Sequence, residues 1–258
     1  NIKTQIDHGT AKSEIAILYR SNAQSRVLES ALQRAEIPYR IFGGQRFFER
    51  AEIKSATAYL RLLSNPNDDA SFERVVNTPT RGIGERSVQA VRDMARQHSC
   101  SMWQAARDVI ASKSLAARST NALQAFVSLI ENMTANTQEM ELFEKVEHML
   151  QASTLLATHQ ADKTENGAMR AENLEELVPA ARQFDNDEEE LSELDSFLAH
   201  AALAAGDGQG REGAARVQLM PPHTGKGLII DNQDLHHDGI PLVFCLRPSS
   251  GIMISTSH

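Results

Sequence analysis

Two strings in this chain hold residue types that can grip phosphate. The first is Thr78-Pro79-Thr80-Arg81-Gly82-Ile83-Gly84-Glu85-Arg86-Ser87. One helical pattern ends near Asn77 and another begins near Glu85, so Gly82-Ile83-Gly84 reads as a tight interhelical turn. Glycine tolerates positive φ and close approach, and the first N–H groups of a helix are oriented to receive an anion with help from the helix dipole. Arg81 and Arg86 add positive charge. Such a turn would read the nucleic-acid backbone and not base edges. An ordinary connector between helices can carry the same three residues, and on the string alone that alternative stays open.

The second string is Ala16-Ile17-Leu18-Tyr19-Arg20-Ser21-Asn22-Ala23-Gln24-Ser25-Arg26. A strand runs out into polar residues that open a helix, which is where α/β folds place ligands. Arg20 and Asn22 would face phosphates of a nucleotide or of DNA; alternatively, Asn22 only caps its helix and Arg20 is solvated. A third string, His223-Thr224-Gly225-Lys226-Gly227-Leu228, has the Gly-Lys pair of a phosphate loop but fails its test. In G-x-x-x-x-G-K-[ST] the first glycine would fall on Met220 and the magnesium-binding hydroxyl on Gly227. No complete motif of this kind occurs, which argues against an autonomous P-loop NTPase. His236-His237-Asp238 lacks a further ligand at metal-site spacing and reads as a polar loop, so no metal site is predicted. No hydrolytic triad or paired-carboxylate motif stands out, and no catalytic residue is predicted.

These strings must be held by the elements around them. Ile15-Ala16-Ile17-Leu18 reads as a strand, and Val27, Leu28, Ala31, Leu32 and Ala35 mark one face of the helix after it. Pro38 to Phe42 returns as an extended segment ended by Gly43-Gly44. From Phe47 to about His200 the pattern is helical, with stripes at Ile53, Ala56, Leu60, Leu63 and at Phe126, Leu129, Ile130, Met133. Ser101 reads as the cap of a helix with Trp103 as a core anchor. The acidic run Asp185 to Asp195 reads as an exposed loop, and glycine-rich Ala205 to Gly213 as a surface linker. Val217 to Met220 and Leu242 to Leu246 then read as buried strands. Pro221 to Gly239, with two prolines and three glycines, is expected to be poorly ordered. The fold class is therefore mostly α, an all-helical insertion flanked by partial α/β core segments.

The 258 residues allow two domains, or one with a large insertion. A net charge of −8 looks unsuited to a nucleic-acid partner until it is divided along the chain. Residues 1–99 carry 15 Lys/Arg against 11 Asp/Glu, and residues 100–258 carry 11 against 23. The basic part would attract phosphate while the acidic remainder restricts where DNA can lie. Cys100 and Cys245 have no paired spacing and support neither a disulfide framework nor a thiolate cluster. No apolar run reaches the ~20 residues of a membrane helix and no signal peptide opens the chain, so no membrane partner and a cytoplasmic location are expected.

Taken in order, Ile17 to Arg26, Pro38 to Gly44 with Phe47-Phe48-Glu49-Arg50-Ala51-Glu52-Ile53-Lys54, and Thr78 to Gly84 resemble the UvrD/Rep group of superfamily 1 helicases. The resemblance continues through Arg170 to Leu177 and Phe197 to Leu203. It implies two RecA-like, P-loop-NTPase-type motor cores with ATP and magnesium between them, each core bearing a helical insertion, and unwinding with 3' to 5' polarity. By this resemblance residues 1–40 and 214–258 are parts of the second core (2A), the latter degenerate and truncated, and residues 41–213 are its helical insertion (2B). The Walker motifs belong to the first core, an expected partner absent from these residues; the chain is expected to hold no cofactor and to be catalytically silent alone.

The resemblance also assigns sites. Thr80 to Gly84 with Arg86 and Ser87 become a contact to the duplex backbone. The family string near the return to the core, roughly L-M-T-x-H-x-A-K-G-L-E-F, is kept at Leu219, Met220, His223, Lys226, Gly227 and Leu228, which implies DNA contact by His223 and Lys226. Pro221 stands where the family has the threonine that touches single-stranded DNA, and Ile229 where it has the glutamate that reaches the ribose. The expected function is a DNA-binding part of an ATP-dependent helicase of repair or replication, with duplex and single-stranded DNA and repair proteins as partners. The rival expectation is a helical protein-interaction or regulatory module.

Overall fold

The computed structural model describes residues 2–19, 22–41, 45–186, 190–206, 215–220, 242–245 and 253–255. Two compact units result, one from residues 1–49 with 205–258 and one from residues 50–204.

The first unit is α/β. It contains α1 (Ile2–Asp7), β1 (Ile15–Leu18), α2 (Asn22–Arg34), β2 (Tyr39–Ile41), β3 (Val217–Met220), β4 (Leu242–Cys245) and β5 (Met253–Ser255). The sheet order is β2-β3-β1-β4-β5. β3 is parallel to both β1 and β2, with Ile17 opposite Leu219 and Arg40 opposite Gln218. β4 is antiparallel to β1, and β5 to β4. All four β1 residues are buried, as expected of a central strand covered on both faces, which is why it reads as an unbroken apolar run. Ile15, Ile17, Tyr19, Leu32, Ile37, Tyr39, Val217 and Leu219 form the core. Because β3 hydrogen-bonds between β1 and β2, this sheet is complete only after the chain has built the second unit and returned.

The division falls after Glu49, later than the 40/41 boundary expected from sequence. A buried carboxylate accounts for this. Glu29 on α2 accepts from Ser25 Oγ at 2.6 Å, from the Phe47 N–H at 3.0 Å and from Tyr39 Oη at 3.4 Å. These donors tie a 3₁₀ turn at Phe47–Glu49, with Phe47 fully buried, to the α/β unit.

The second unit is helical: α3 (Ala51–Ser64), α4 (Asp69–Val75), α5 (Glu85–His98), α6 (Met102–Ser112), α7 (Ala117–Asn136), α8 (Leu142–Ala152), α9 (Leu155–Ala161), α10 (Glu165–Arg182) and α11 (Glu193–Gly206). Local chemistry sets several starts. Asp68, Ser101 and Thr164 accept the N–H groups of Ser71, Gln104 and Gly167, and Glu141 with Glu144 forms a capping box. α3 lies at the centre, packed on α4, α7, α8 and α10. Its stripe is wider than the four expected residues, since Tyr59 and Leu62 are buried as well. Phe72 meets Phe126 and Trp103 edge to face at 5.5 and 6.5 Å, so Trp103 is the core anchor its spacing predicts.

Two loop expectations are corrected. Glu193 and Asp195 open α11, because Asp195 pairs with Ser192 through side chain and backbone in the manner of a helix start. Likewise Ala205 and Gly206 extend α11 into the expected linker. The expected disorder at 221–239 lies outside the described residues.

Candidate nucleic-acid interface

The Thr78 to Ser87 string connects α4 to α5, and its residues divide sharply between inward and outward. Asn77 Oδ1 accepts the N–H of Arg81 at 2.8 Å and that of Ile83 at 3.2 Å, closing the turn around one amide oxygen. Ile83 is buried and acts as its apolar plug, and the Ser87 side chain is buried as well. Thr80, Gly82, Gly84 and Arg86 are exposed.

Gly82 takes φ +79°, whereas Gly84 is extended at φ −80° and ψ 167° as the N-cap of α5. Positive φ is therefore needed at Gly82 and not at Gly84. A Cβ on either glycine would meet nothing within 4 Å, so the space outside the turn is open. Gly84 O accepts the N–H groups of Ser87 and Val88 at 2.9 and 3.2 Å. The amides of Gly82, Gly84, Glu85 and Arg86 have no acceptor among the described residues. That is the set a helix start leaves over, and here no side chain caps it.

The charges behave differently from one another. Arg86 is exposed and has no ion pair among the described residues. Arg92, six residues on, is occupied by Glu73 at 2.7 Å and Glu85 at 3.6 Å. Arg81, expected from sequence to project toward phosphate, turns into the protein. Its Nη1 donates to Val75 O and Pro79 O at 3.3 and 3.0 Å, and its Nη2 to Ser153 O at 2.9 Å. Its guanidinium carbon lies 5.7 Å from the Tyr59 ring centre and 5.8 Å from that of Phe126. Tyr59 in turn donates to Thr78 O at 2.5 Å, and burial pushes its phenol up to about 12 despite the neighbouring Arg81.

The second expected string follows β1, an interior strand of the sheet. β1 and β3 are neighbours and parallel, and the Tyr19 N–H donates to Met220 O at 3.2 Å, so both strands end side by side. Asn22 is the first residue of α2. Arg20, His223 and Lys226 lie outside the described residues, as do His236, His237 and Asp238. No group of His, Cys, Asp and Glu able to hold a metal occurs among the described residues. No helix among them is long and apolar enough to cross a membrane.

Two arrangements escaped the sequence reading. Asn77 carries a recognisable signal, an Asx residue just past a helix end with a proline two residues on. The other has none: Arg50 Nη1 donates to Asn173 Oδ1 at 2.6 Å and Asn173 Nδ2 to Glu52 Oε1 at 2.5 Å, a buried link between α3 and α10 across about 120 residues of chain.

With this geometry in place, comparison with known proteins is decisive. Residues 1–232 match the UvrD-like helicase C-terminal domain. The chain belongs to that family. It is 52% identical over 229 residues to DNA helicase II of Escherichia coli and 47% identical over 229 residues to that of Haemophilus influenzae. Each match takes in 88% of this chain and 32% of the relative. It is 38% identical over 254 residues to the ATP-dependent DNA helicase PcrA of Bacillus subtilis, which is 95% of this chain and 33% of that protein. The chain thus spans about a third of the length of the relatives it matches. The match takes in the whole helical unit, including the Gly82-Ile83-Gly84 turn, and the α/β unit as far as residue 232.

Proposed function

We propose that this chain is the DNA-gripping part of an ATP-dependent 3' to 5' DNA helicase of repair or replication, acting in the cytoplasm, and that the α4–α5 turn holds the backbone of duplex DNA. One observation carries the reading: an exposed glycine turn opens α5 with amides that have no acceptor among the described residues, faces open space and stands beside the exposed Arg86, which has no ion pair among those residues. Backbone amides at a helix start and a nearby guanidinium suit phosphate and carry no base information, so binding is insensitive to sequence. Thr80, Gly82, Gly84 and Arg86 supply the outward contacts; Arg81, Ile83 and Ser87 belong to the site from the inner side.

In this reading the helical unit is the 2B insertion and the α/β unit is part of the second RecA-like core. Arg20, Asn22, His223 and Lys226 would meet single-stranded DNA. ATP and magnesium act in the complete protein, with a first core as partner, and repair proteins are further partners. Pro221 and Ile229 weaken the links to DNA and ribose that the family places there.

The experiment is a salt titration of duplex affinity. An Arg86 that meets one phosphate contributes about 0.9 to the log-log slope, so Arg86→Ala lowers the slope by about one and weakens binding equally across sequences. An unchanged affinity and slope would make the turn a plain helix connector and favour the protein-interaction reading.

A further inference from the structure

We infer that Arg81 and Asn77 are positioning residues for the duplex contact, holding the Gly82–Gly84 backbone from the protein side without touching DNA. The inference rests on the function proposed above and assigns to two residues the stiffness that function requires.

Arg81 belongs to the charge pattern of a phosphate site only in sequence; in space its fork is filled from the other direction. The three carbonyls it holds come from three places: Val75, the last residue of α4; Pro79, within the turn; and Ser153, the C-cap of α8. Both Val75 O and Ser153 O lie at helix ends; Val75 O also accepts the Thr78 N–H at 3.0 Å, whereas at Ser153 O the guanidinium takes the place of an intrahelical donor as it anchors the turn. The rings of Tyr59 on α3 and Phe126 on α7 lie near the same group. A phosphate claiming Arg81 would have to break these contacts. Lysine carries the same charge but, as a compact ammonium, cannot reproduce the planar fork.

Asn77 acts on the backbone directly. By taking the N–H groups of Arg81 and Ile83 on one oxygen, it satisfies alternate amides of the turn, while those of Gly82 and Gly84 have no acceptor among the described residues. A turn fixed in this way loses little freedom when it meets DNA, which is how preorganisation raises affinity without a new contact.

The test uses the 258-residue chain with Arg81→Lys, Asn77→Ala and Arg86→Ala, a mixed-sequence duplex probe and a series of NaCl concentrations, at a temperature where all variants keep the parent's helicity. Arg81→Lys conserves charge and Asn77→Ala removes none, yet each should lower duplex affinity about tenfold, the worth of one net hydrogen bond, and leave the salt slope unchanged. Amide exchange at Arg81 and Ile83 should accelerate in both. A purely structural role would change thermal stability while leaving the affinity of the folded protein as it was. A fourth variant, Arg81→Ala, checks the rival role: if it lowers the salt slope by about one, Arg81 is a phosphate ligand and the inference is overturned. If Arg86→Ala behaves as proposed while Asn77→Ala and Arg81→Lys bind like the parent, positioning alone is refuted. If Arg86→Ala changes nothing, the duplex reading fails and the inference falls with it, whatever the exchange rates.

Discussion

Replacing Gly82 by alanine isolates backbone conformation from packing, because a Cβ there would touch nothing within 4 Å and the only obstacle is φ +79°. An L-residue in the left-handed region costs about 1–2 kcal/mol, partly offset by the lower entropy of the unfolded chain when glycine is removed. The net loss should be about 1 kcal/mol. For a unit of this size that shifts the midpoint of thermal unfolding by about 2–4 °C. Gly84→Ala is the matched control: the same added methyl, equally open space, but φ −80°. Its effect should be close to zero or slightly stabilising. Paired thermal and urea melts, followed by helicity, read both variants. If Gly84→Ala destabilises as much as Gly82→Ala, or Gly82→Ala is neutral, the conformational assignment of the turn is wrong.

Other expectations follow from packing and charge. Gly167→Ala should cost about 1–3 kcal/mol in urea unfolding, since its Cβ would overlap the Asp162 carbonyl and side chain at the start of α10, where backbone has little room to yield. Asn173→Leu removes the amide joining Arg50 to Glu52 and should destabilise the helical unit by about 1.5–3 kcal/mol, with little effect on the α/β sheet by site-resolved amide exchange. Burial holds the imidazoles of His159 and His200 below the ordinary value of 6.5. A depressed folded pKa means that the unfolded chain takes up protons first, so stability is full above pH 6.5 and declines as pH falls below it. His200→Gln, which keeps a polar side chain beside Phe184, should flatten that decline in melts between pH 7 and 5.

The sequence and the structure agree where local chemistry decides the outcome. The run Ile15 to Leu18 is apolar because β1 is buried on both faces, and Ser101 and Trp103 announce a capped helix and its anchor. The position of the α4–α5 turn was equally legible, since glycines flanking one isoleucine can do little else between two helical patterns. What sequence cannot carry is direction. Arg81 and Arg86 look alike in a string, and partners that include Ser153, 72 residues away, make one of them an inward anchor. The same holds for Glu29, whose partners include an amide 18 residues on and which moves the unit boundary past the 3₁₀ turn. The acidic start of α11 misled for a different reason: Glu193 and Asp195 suit a helix N-terminus as well as a solvated loop, and composition does not distinguish them.

The central claim is that a few amides at the start of α5 meet the DNA backbone. Amide chemical-shift mapping during titration with a short duplex tests it most directly. Gly82, Gly84, Glu85 and Arg86 should shift first and most, at low salt, with the same pattern for duplexes of unrelated sequence. Shifts confined to the acidic helices α8, α10 and α11, or none at the turn while binding proceeds, would contradict it.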